Sequence, residues 1–166
     1  MTERTVAEPY FEPPTPTLEV LARFTVRLDR GLWDLGRTSG QGIRRIVPIT
    51  GGSFSGPRLN GDILDNGADW QIVTGDGATI VDTRYLLRLD DGALAYLQTR
   101  GFRDGPPEVL HDLAAGRTVD PHRYTFRLHM HFETASPTYH WLNRAVAVGS
   151  ALRLADAVIY DAYLVT

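Results

Sequence analysis

The 166-residue chain carries 17 Lys and Arg against 20 Asp and Glu, a formal charge of -3, so it has no surplus of cations for phosphates and nucleic acid is not expected as a partner. Hydrophobic residues at 43% and charged residues at 22% are ordinary for a globular chain, and a chain of this size can bury roughly 70% of its unfolded surface in one core. No cysteine is present, which excludes disulfides, thiolate nucleophiles and cysteine-ligated zinc.

No apolar run nears the roughly 20 residues of a spanning helix, and no signal-like apolar stretch follows Met1-Thr2-Glu3-Arg4, so the expectation is a cytoplasmic protein with no membrane partner. Residues 1–17, with four prolines and three glutamates, read as an irregular or polyproline-like arm, and residues 18–166 as a single domain. From Leu18 the pattern has period two: Leu18, Val20, Ala22, Phe24, Val26 and Leu28 alternate with residues such as Glu19, Arg23 and Arg27, as in a half-buried strand. Further strands are expected over Arg45–Gly51, Arg58–Leu64, Trp70–Thr74, Thr79–Leu89, Ala93–Gly101, Arg123–Glu133, Tyr139–Val148 and Ala157–Val165. Gly75-Asp76-Gly77 and Asp90-Asp91-Gly92 are hairpin turns of the Asp-Gly kind. Pro106 to Gly116 breaks the β pattern, with apolar positions 109, 110 and 113 between a starting Pro and a stopping Gly; this is one short helix near 107–115 that plugs or flanks an open barrel end. The fold class is therefore all-β, an antiparallel barrel of about 8–10 strands, mainly a meander.

The most unusual stretch is Arg44-Arg45-Ile46-Val47-Pro48-Ile49-Thr50-Gly51-Gly52-Ser53-Phe54-Ser55-Gly56-Pro57. Its Gly and Pro breaks imply a bend or bulge, either for curvature alone or to let Gly51, Gly52 and Ser53 approach a ligand. Ser55 is not a nucleophile elbow, because no helix pattern follows it. Together with Asp34-Leu35-Gly36, Gly67-Ala68-Asp69-Trp70, Phe132-Glu133-Thr134 and Trp141-Leu142-Asn143, this block resembles the uncharacterised bacterial family known as domain of unknown function 3237, or uncharacterised protein family 0311. The resemblance runs from about Leu18 to Val165. It implies a β-barrel, commonly oligomeric, with no obligatory cofactor, and it points to cofactor-free water or proton chemistry on unsaturated carbonyl compounds.

Asp69 precedes Trp70 and Gln71. A carboxylate beside a flat apolar wall is desolvated, which raises its pKa and suits a general acid or base; the alternative is a turn residue capping backbone amides. On the strand after it, Asp82 and Arg84 share a face with Ile80, Leu86 and Arg88, while Tyr85 shares the other with Val81, Thr83, Leu87 and Leu89. If the charged face lines the barrel, Asp82 and Arg84 can hold a proton donor and an oxyanion; if the apolar face does, they form a surface ion pair.

Arg127, His129, His131 and Glu133 share one strand face, opposite Tyr124, Phe126, Leu128, Met130 and Phe132. Neighbours at that spacing are about 6–7 Å apart, and they form a solvated face, an acid–base histidine or, with a third ligand such as His140, a metal site. The family pattern Phe-Arg-Thr-x-Pro-x-Phe-Glu-Thr leaves the two histidine positions variable, so the resemblance gives them no role. Tyr139, Trp141 and Asn143 alternate toward one side and suit a pocket wall or core packing. Tyr160 and Tyr163 fall on opposite faces, so at most one lines a cavity.

The expected function is cofactor-free acid–base chemistry, such as hydration, isomerisation or cyclisation, on an apolar or aromatic unsaturated carbonyl compound. Asp69, Asp82 and Arg84 are the candidate catalytic residues. Trp70, Tyr85, Arg127, His131, Tyr139, Trp141 and Asn143 are the candidate substrate contacts. No metal or organic cofactor is assigned, and the expected partners are a small-molecule ligand and further copies of the chain, as a dimer or larger homo-oligomer. The alternatives are a carrier or sensor barrel, a histidine-ligated metal enzyme and a structural subunit.

Overall fold

The computed structural model describes residues 11–38 and 40–166. Of the arm expected over residues 1–17, residues 1–10 lie outside the described residues. Residues 11–17 have no regular structure and end at Thr17, whose backbone exchanges hydrogen bonds of 2.7 and 3.0 Å with Thr166.

Ten strands follow: β1 (Leu18–Leu28), β2 (Trp33–Arg37), β3 (Ile43–Ser55), β4 (Gly61–Ile63), β5 (Gly67–Val73), β6 (Thr79–Leu89), β7 (Leu94–Asp104), β8 (Thr125–Thr134), β9 (Ala147–Arg153) and β10 (Ala157–Val165). One helix, α1 (Pro107–Ala114), and two short 3-10 turns, Pro121–Arg123 and His140–Arg144, complete the fold. All pairings are antiparallel. Two strand positions are split: β1 and β2 run end to end along one side of β3, and β4 and β5 along the other. The ten segments thus fill eight positions, and β1 closes the barrel by pairing with both β3 and β10. Closure removes the open edges through which sheets join, except along β2, which among the described residues pairs with β3 alone.

Alternation decides what lies inside. On β6, Thr79, Val81, Thr83, Tyr85, Leu87 and Leu89 point inward, and on β8, Phe126, Leu128, Met130 and Phe132 do. The period expected for β1 fails at its start: Leu18 and Val20 are 62% and 49% exposed, while the adjacent Leu21 and Ala22 are both buried. A bulge between Val20 and Ala22 in the pairing with β10 shifts the phase.

A second bulge explains the glycine-rich segment. Arg27 pairs with Gly51 but Leu28 with Ile49, so Thr50 is the extra residue and β3 bends there. Gly52 sits at φ 148°, where a Cβ would stand 2.0 Å from the Thr25 carbonyl oxygen, so the backbones of β1 and β3 meet only because no side chain intervenes. Curvature is the role of Gly51-Gly52. Farther along, Asn60 ties the chain back, with Oδ1 accepting from Ser55 Oγ at 2.9 Å and from the Gly56 amide at 3.1 Å.

One expected strand is absent. Over Tyr139–Val148 the chain instead forms the 3-10 turn and enters β9 only at Ala147. Side chains here capture the backbone and compete with a ladder: Asn143 accepts from the Thr134 amide and donates to the Thr134 carbonyl, both at 2.8 Å, and the Tyr139 amide donates to Ser136 Oγ at 3.2 Å. The short, exposed β2 was not expected, since its five residues bury nothing that would set a period.

The two barrel ends differ. One is packed solid by residues such as Leu59, Leu87, Leu89, Phe132 and Leu142, and Phe24 is stacked between Phe54 (4.8 Å) and Tyr160 (4.7 Å). At the other, α1 buries Val109, Leu110 and Leu113 over an interior that is polar. Among the described residues, no helix is long and apolar enough to cross a membrane.

The bulge makes a stability prediction. Gly52→Ala is expected to cost about 2–3 kcal/mol through strain and displaced backbone, lowering the urea midpoint of unfolding. Gly75→Ala, where a Cβ meets nothing within 4 Å, is the matched control and should leave the midpoint in place.

Candidate active site

The inward residues of β5 are Gly67, Asp69, Gln71 and Val73. Gly67 lies opposite Tyr85, and a Cβ there would stand 2.4 Å from the Tyr85 Cβ, so its absence lets the tyrosine lie across β5. One step on, the ladder between β5 and β6 opens: Asp69 pairs with Thr83 and Ile72 with Ile80, with no pairing between them. Side chains satisfy the freed groups. The Asp82 amide donates to Asp69 Oδ1 at 3.1 Å, and Arg44 Nη1 donates to the Trp70 carbonyl at 2.5 Å.

Asp69 points into the barrel, half-buried, and borders a chamber of about 30 Å³. Burial pushes its carboxyl up to about 6, against the weaker downward pull of the Asp82 amide and of the Arg103 and Arg153 charges. Two hydroxyl pairs share the chamber. Thr83 and Thr99 meet Oγ1 to Oγ1 at 2.5 Å, and Tyr85 and Tyr160 meet phenol to phenol at 2.6 Å. Each pair has two hydroxyl hydrogens and uses one in the shared bond, so the second is available to whatever occupies the chamber. Burial raises both phenol pKa values, which keeps them as neutral donors. The remaining wall is apolar and includes Val26, Ile49, Phe126 and Leu128.

One layer along the barrel, beneath α1, lies a second chamber of about 80 Å³ lined by Arg45, Gln71, Thr79, Arg103 and Arg153 under Leu110 and Leu113. Arg103 points inward and is half-buried. Its Nη2 donates to Thr79 Oγ1 at 3.1 Å, its guanidinium lies 5.7 Å from the Phe126 ring centroid, and its Nε is sealed without a partner. Burial, then the Arg153 charge, brings its pKa down to about 10, so it stays cationic at neutral pH. Arg153 makes long contacts to the Ala157 (3.3 Å) and Ala155 (3.5 Å) carbonyls, and its amide donates to the Tyr124 phenol oxygen at 2.9 Å.

Of the residues singled out from sequence, Asp69 and Tyr85 meet in the first chamber. Asp82 and Arg84 do not line it. They form an outer-surface pair at 3.3 Å with side chains 22% and 45% exposed, and Gln98 Nε2 donates to Asp82 at 2.9 Å. The opposite face of β6 holds Val81, Tyr85, Leu87 and Leu89, whose apolar area outweighs that of Ile80 and Leu86, and burial goes to the larger area. Trp70 also faces outward, with the Arg84 guanidinium 5.8 Å from its ring.

Arg127 and His131 are on the exposed face of β8, where His131 pairs with Glu133 at 3.1 Å. No group of three or more His, Asp or Glu side chains capable of holding a metal occurs among the described residues. Tyr139, Trp141 and Asn143 belong to the far, packed end. Tyr139 donates to Asp90 at 2.5 Å, Trp141 lies under Arg58 at 4.6 Å, and Asn143 bonds Thr134. None of the three lines either chamber.

Sequence reasoning passed over Arg103, Arg153, Thr83, Thr99 and the Tyr85–Tyr160 pairing. A usable signal exists for the arginines. Arg103 continues the inward series Ala95, Leu97, Thr99, Gly101, and Arg153 the series Ala147, Gly149, Ala151. A cation at the end of a small or apolar register is the mark of a charge held inside.

A family model described as "Protein of unknown function (DUF3237)" matches residues 16–165. A UPF0311 protein of Rhodopseudomonas palustris strain TIE-1 is 40% identical over 151 residues, 91% of this chain and 99% of that protein. Among solved structures, a beta-barrel like protein from Acinetobacter baumannii AYE is 59% identical with a TM-score of 0.84, covering 94% of this chain and 99% of that one. A structure described as an enzyme from Penicillium herquei has a TM-score of 0.69 at 20% identity, covering 94% and 98% of the two chains. At that identity the likeness is one of fold.

Asp69 makes stability depend on pH with a defined sign. Its folded pKa of about 6 exceeds the usual 3.8, so between those values the folded chain holds a proton that the unfolded chain has lost. Stability from this group therefore falls as pH rises through that window, by roughly 3 kcal/mol in all. Urea unfolding of wild type and Asp69→Asn from pH 4 to 7.5 should show the variant gaining on wild type by about that amount, with the gain complete just above pH 6.

Proposed function

The chain belongs to the DUF3237 family, and from that premise we propose that it is an enzyme of cofactor-free acid–base chemistry on small unsaturated carbonyl compounds, with Asp69 as the proton-transferring group. The observation that carries this is an inward, half-buried carboxyl that borders the same chamber as spare hydroxyl donors and whose pKa burial pushes up to about 6. A carboxyl poised near neutrality is the effective compromise between being in the right protonation state and moving the proton readily.

In this reading the Asp69 carboxylate takes a proton from a carbon beside the carbonyl, or from a hydroxyl adding to the conjugated double bond. The carbonyl oxygen gains negative charge as this happens. The free hydrogen of the Tyr85–Tyr160 pair and the Arg103 guanidinium stabilise it, and donors held in a dry interior are strongest there. Asp69, now protonated, returns its proton to carbon. Isomerisation moves a proton alone. In hydration the oxygen of water, and in ring closure the substrate's own hydroxyl oxygen, also bonds to the carbon β to the carbonyl. Asp69 takes the proton of that oxygen as the bond forms and the α carbon receives one, so the three are variants of one sequence. That a barrel of similar fold is described as an enzyme supports catalysis as a use of this architecture.

Chambers of about 30 and 80 Å³ are well below the roughly 300 Å³ of a common ligand pocket. The proposed substrate is accordingly small, or α1 and the Leu32 segment move aside to admit it.

The test is proton NMR in D₂O with pent-3-en-2-one and 4-phenylbut-3-en-2-one. Wild type should catalyse hydration or deuterium exchange beside the carbonyl, with kcat/KM rising through pH about 6 as the base ionises. Asp69→Asn should lose at least ~100-fold, and Asp82→Asn and Arg84→Gln should stay near wild type. Equal rates for wild type and Asp69→Asn would overturn the assignment, and tight binding without turnover would favour a carrier.

A further inference from the structure

The charges around the second chamber do not balance. Arg45, Asp69, Arg103 and Arg153 bear on it, together with Tyr124, a phenol that accepts from the Arg153 amide at 2.9 Å, and Asp156 at the rim; α1 adds only Leu110, Leu113 and Ala114. Arg45 is matched, its Nε donating to Asp34 at 3.1 Å. Asp156, which acts on Arg153 from the rim, is itself engaged by Arg30 at 3.2 Å. That leaves two cations, Arg103 and Arg153, against the single carboxylate of Asp69, which makes no ion pair with either among the described residues. An inward cation without a counter-charge is costly in a low-dielectric interior.

The donors tell the same story. A guanidinium has five N–H donors, and Arg103 spends one on Thr79 while its buried Nε has no partner among the described residues. Among the described residues, the Arg153 guanidinium reaches only two carbonyls, at 3.3 and 3.5 Å. Two under-used guanidinium forks at one chamber match the planar, two-oxygen geometry of a carboxylate.

We propose that the substrates of this site are unsaturated oxo-carboxylic acids, whose carboxylate is anchored by Arg153 in the chamber under α1 while the conjugated carbonyl lies toward Arg103, the tyrosine pair and Asp69. The inference rests on the acid–base reading for the carbonyl end and adds a substrate class to it. A carboxylate supplies the missing negative charge, and the apolar first chamber, one layer along the barrel, is the place for its hydrocarbon. The carboxylate is bound and not consumed, so Arg153 fixes register while proton transfer takes place one layer away.

Calorimetric titration with (E)-4-oxopent-2-enoate, its primary amide and inorganic phosphate tests this directly. The acid should bind wild type roughly 30-fold or more tightly than the uncharged amide of the same shape, and Arg153→Gln should lose about the same factor for the acid and little for the amide. Equal binding of acid and amide to wild type overturns the inference whether or not the variant folds. Phosphate binding at the acid's affinity overturns the choice of carboxylate.

Turnover separates the two readings. If pent-3-en-2-one, which has no carboxylate, reacts as efficiently as the acid and in an Asp69-dependent way, the carboxylate inference falls and the base assignment stands. If the acid binds through Arg153 without reacting, the anion site stands and the base assignment falls.

Discussion

An eight-stranded barrel encloses about enough room for side chains to meet along its axis, so every inward position either fills space or borders a gap. In this chain the choice is made along the axis. At one end large apolar residues interlock around Phe132, Leu87 and Leu142. Toward α1 the inward series runs instead through Gly101, Gly149 and Ala151 to Arg103 and Arg153. Small residues next to long cations leave space at the axis, and that space is where Asp69 lies. The solid end anchors the register that holds the hollow end in place.

A carboxyl inside such a gap is an energetic liability on its own. Its folded-state protonation makes neutral pH the unfavourable side of its titration, and burying Arg103 with an unpartnered Nε adds to the cost. The stability that carries these groups comes from the stacked Phe54–Phe24–Tyr160 column and the closed ladder of strands. Tyr160 joins the two regions, since its ring belongs to the aromatic stack and its hydroxyl to the Tyr85 pair beside Asp69.

Much of this was legible in the chain. The strict alternation of β8, the Asp-Gly hairpins and the Pro-to-Gly bounds of α1 are local signals, and the structure follows them. What escaped is set by contacts far along the chain. The bulge after Val20 depends on β10, and no local pattern shows it. The turn at His140–Arg144 has a strand-like alternation but is held by Asn143 reaching back to Thr134. In the site, Asp69 was visible through the Gly67–Trp70 block, whereas the inward face of β6 was ambiguous because both faces carry apolar residues. Comparing their total apolar area would have placed Asp82 and Arg84 outside.

The opened ladder at Asp69 connects local geometry with chemistry. A regular strand pair would occupy the Asp82 amide with a carbonyl of β5; here that amide binds the Asp69 carboxylate instead. The amide fixes one oxygen and favours the charged form, while burial favours the neutral one, and the balance places the titration at about 6. Full pairing of β5 and β6 would release that oxygen and strip the carboxylate of its one hydrogen bond, moving its pKa still higher and away from neutrality. The irregularity in the sheet is therefore what keeps a half-buried aspartate ionisable near physiological pH, and Arg44, by donating to the Trp70 carbonyl on the outer face, holds the ladder open from the other side.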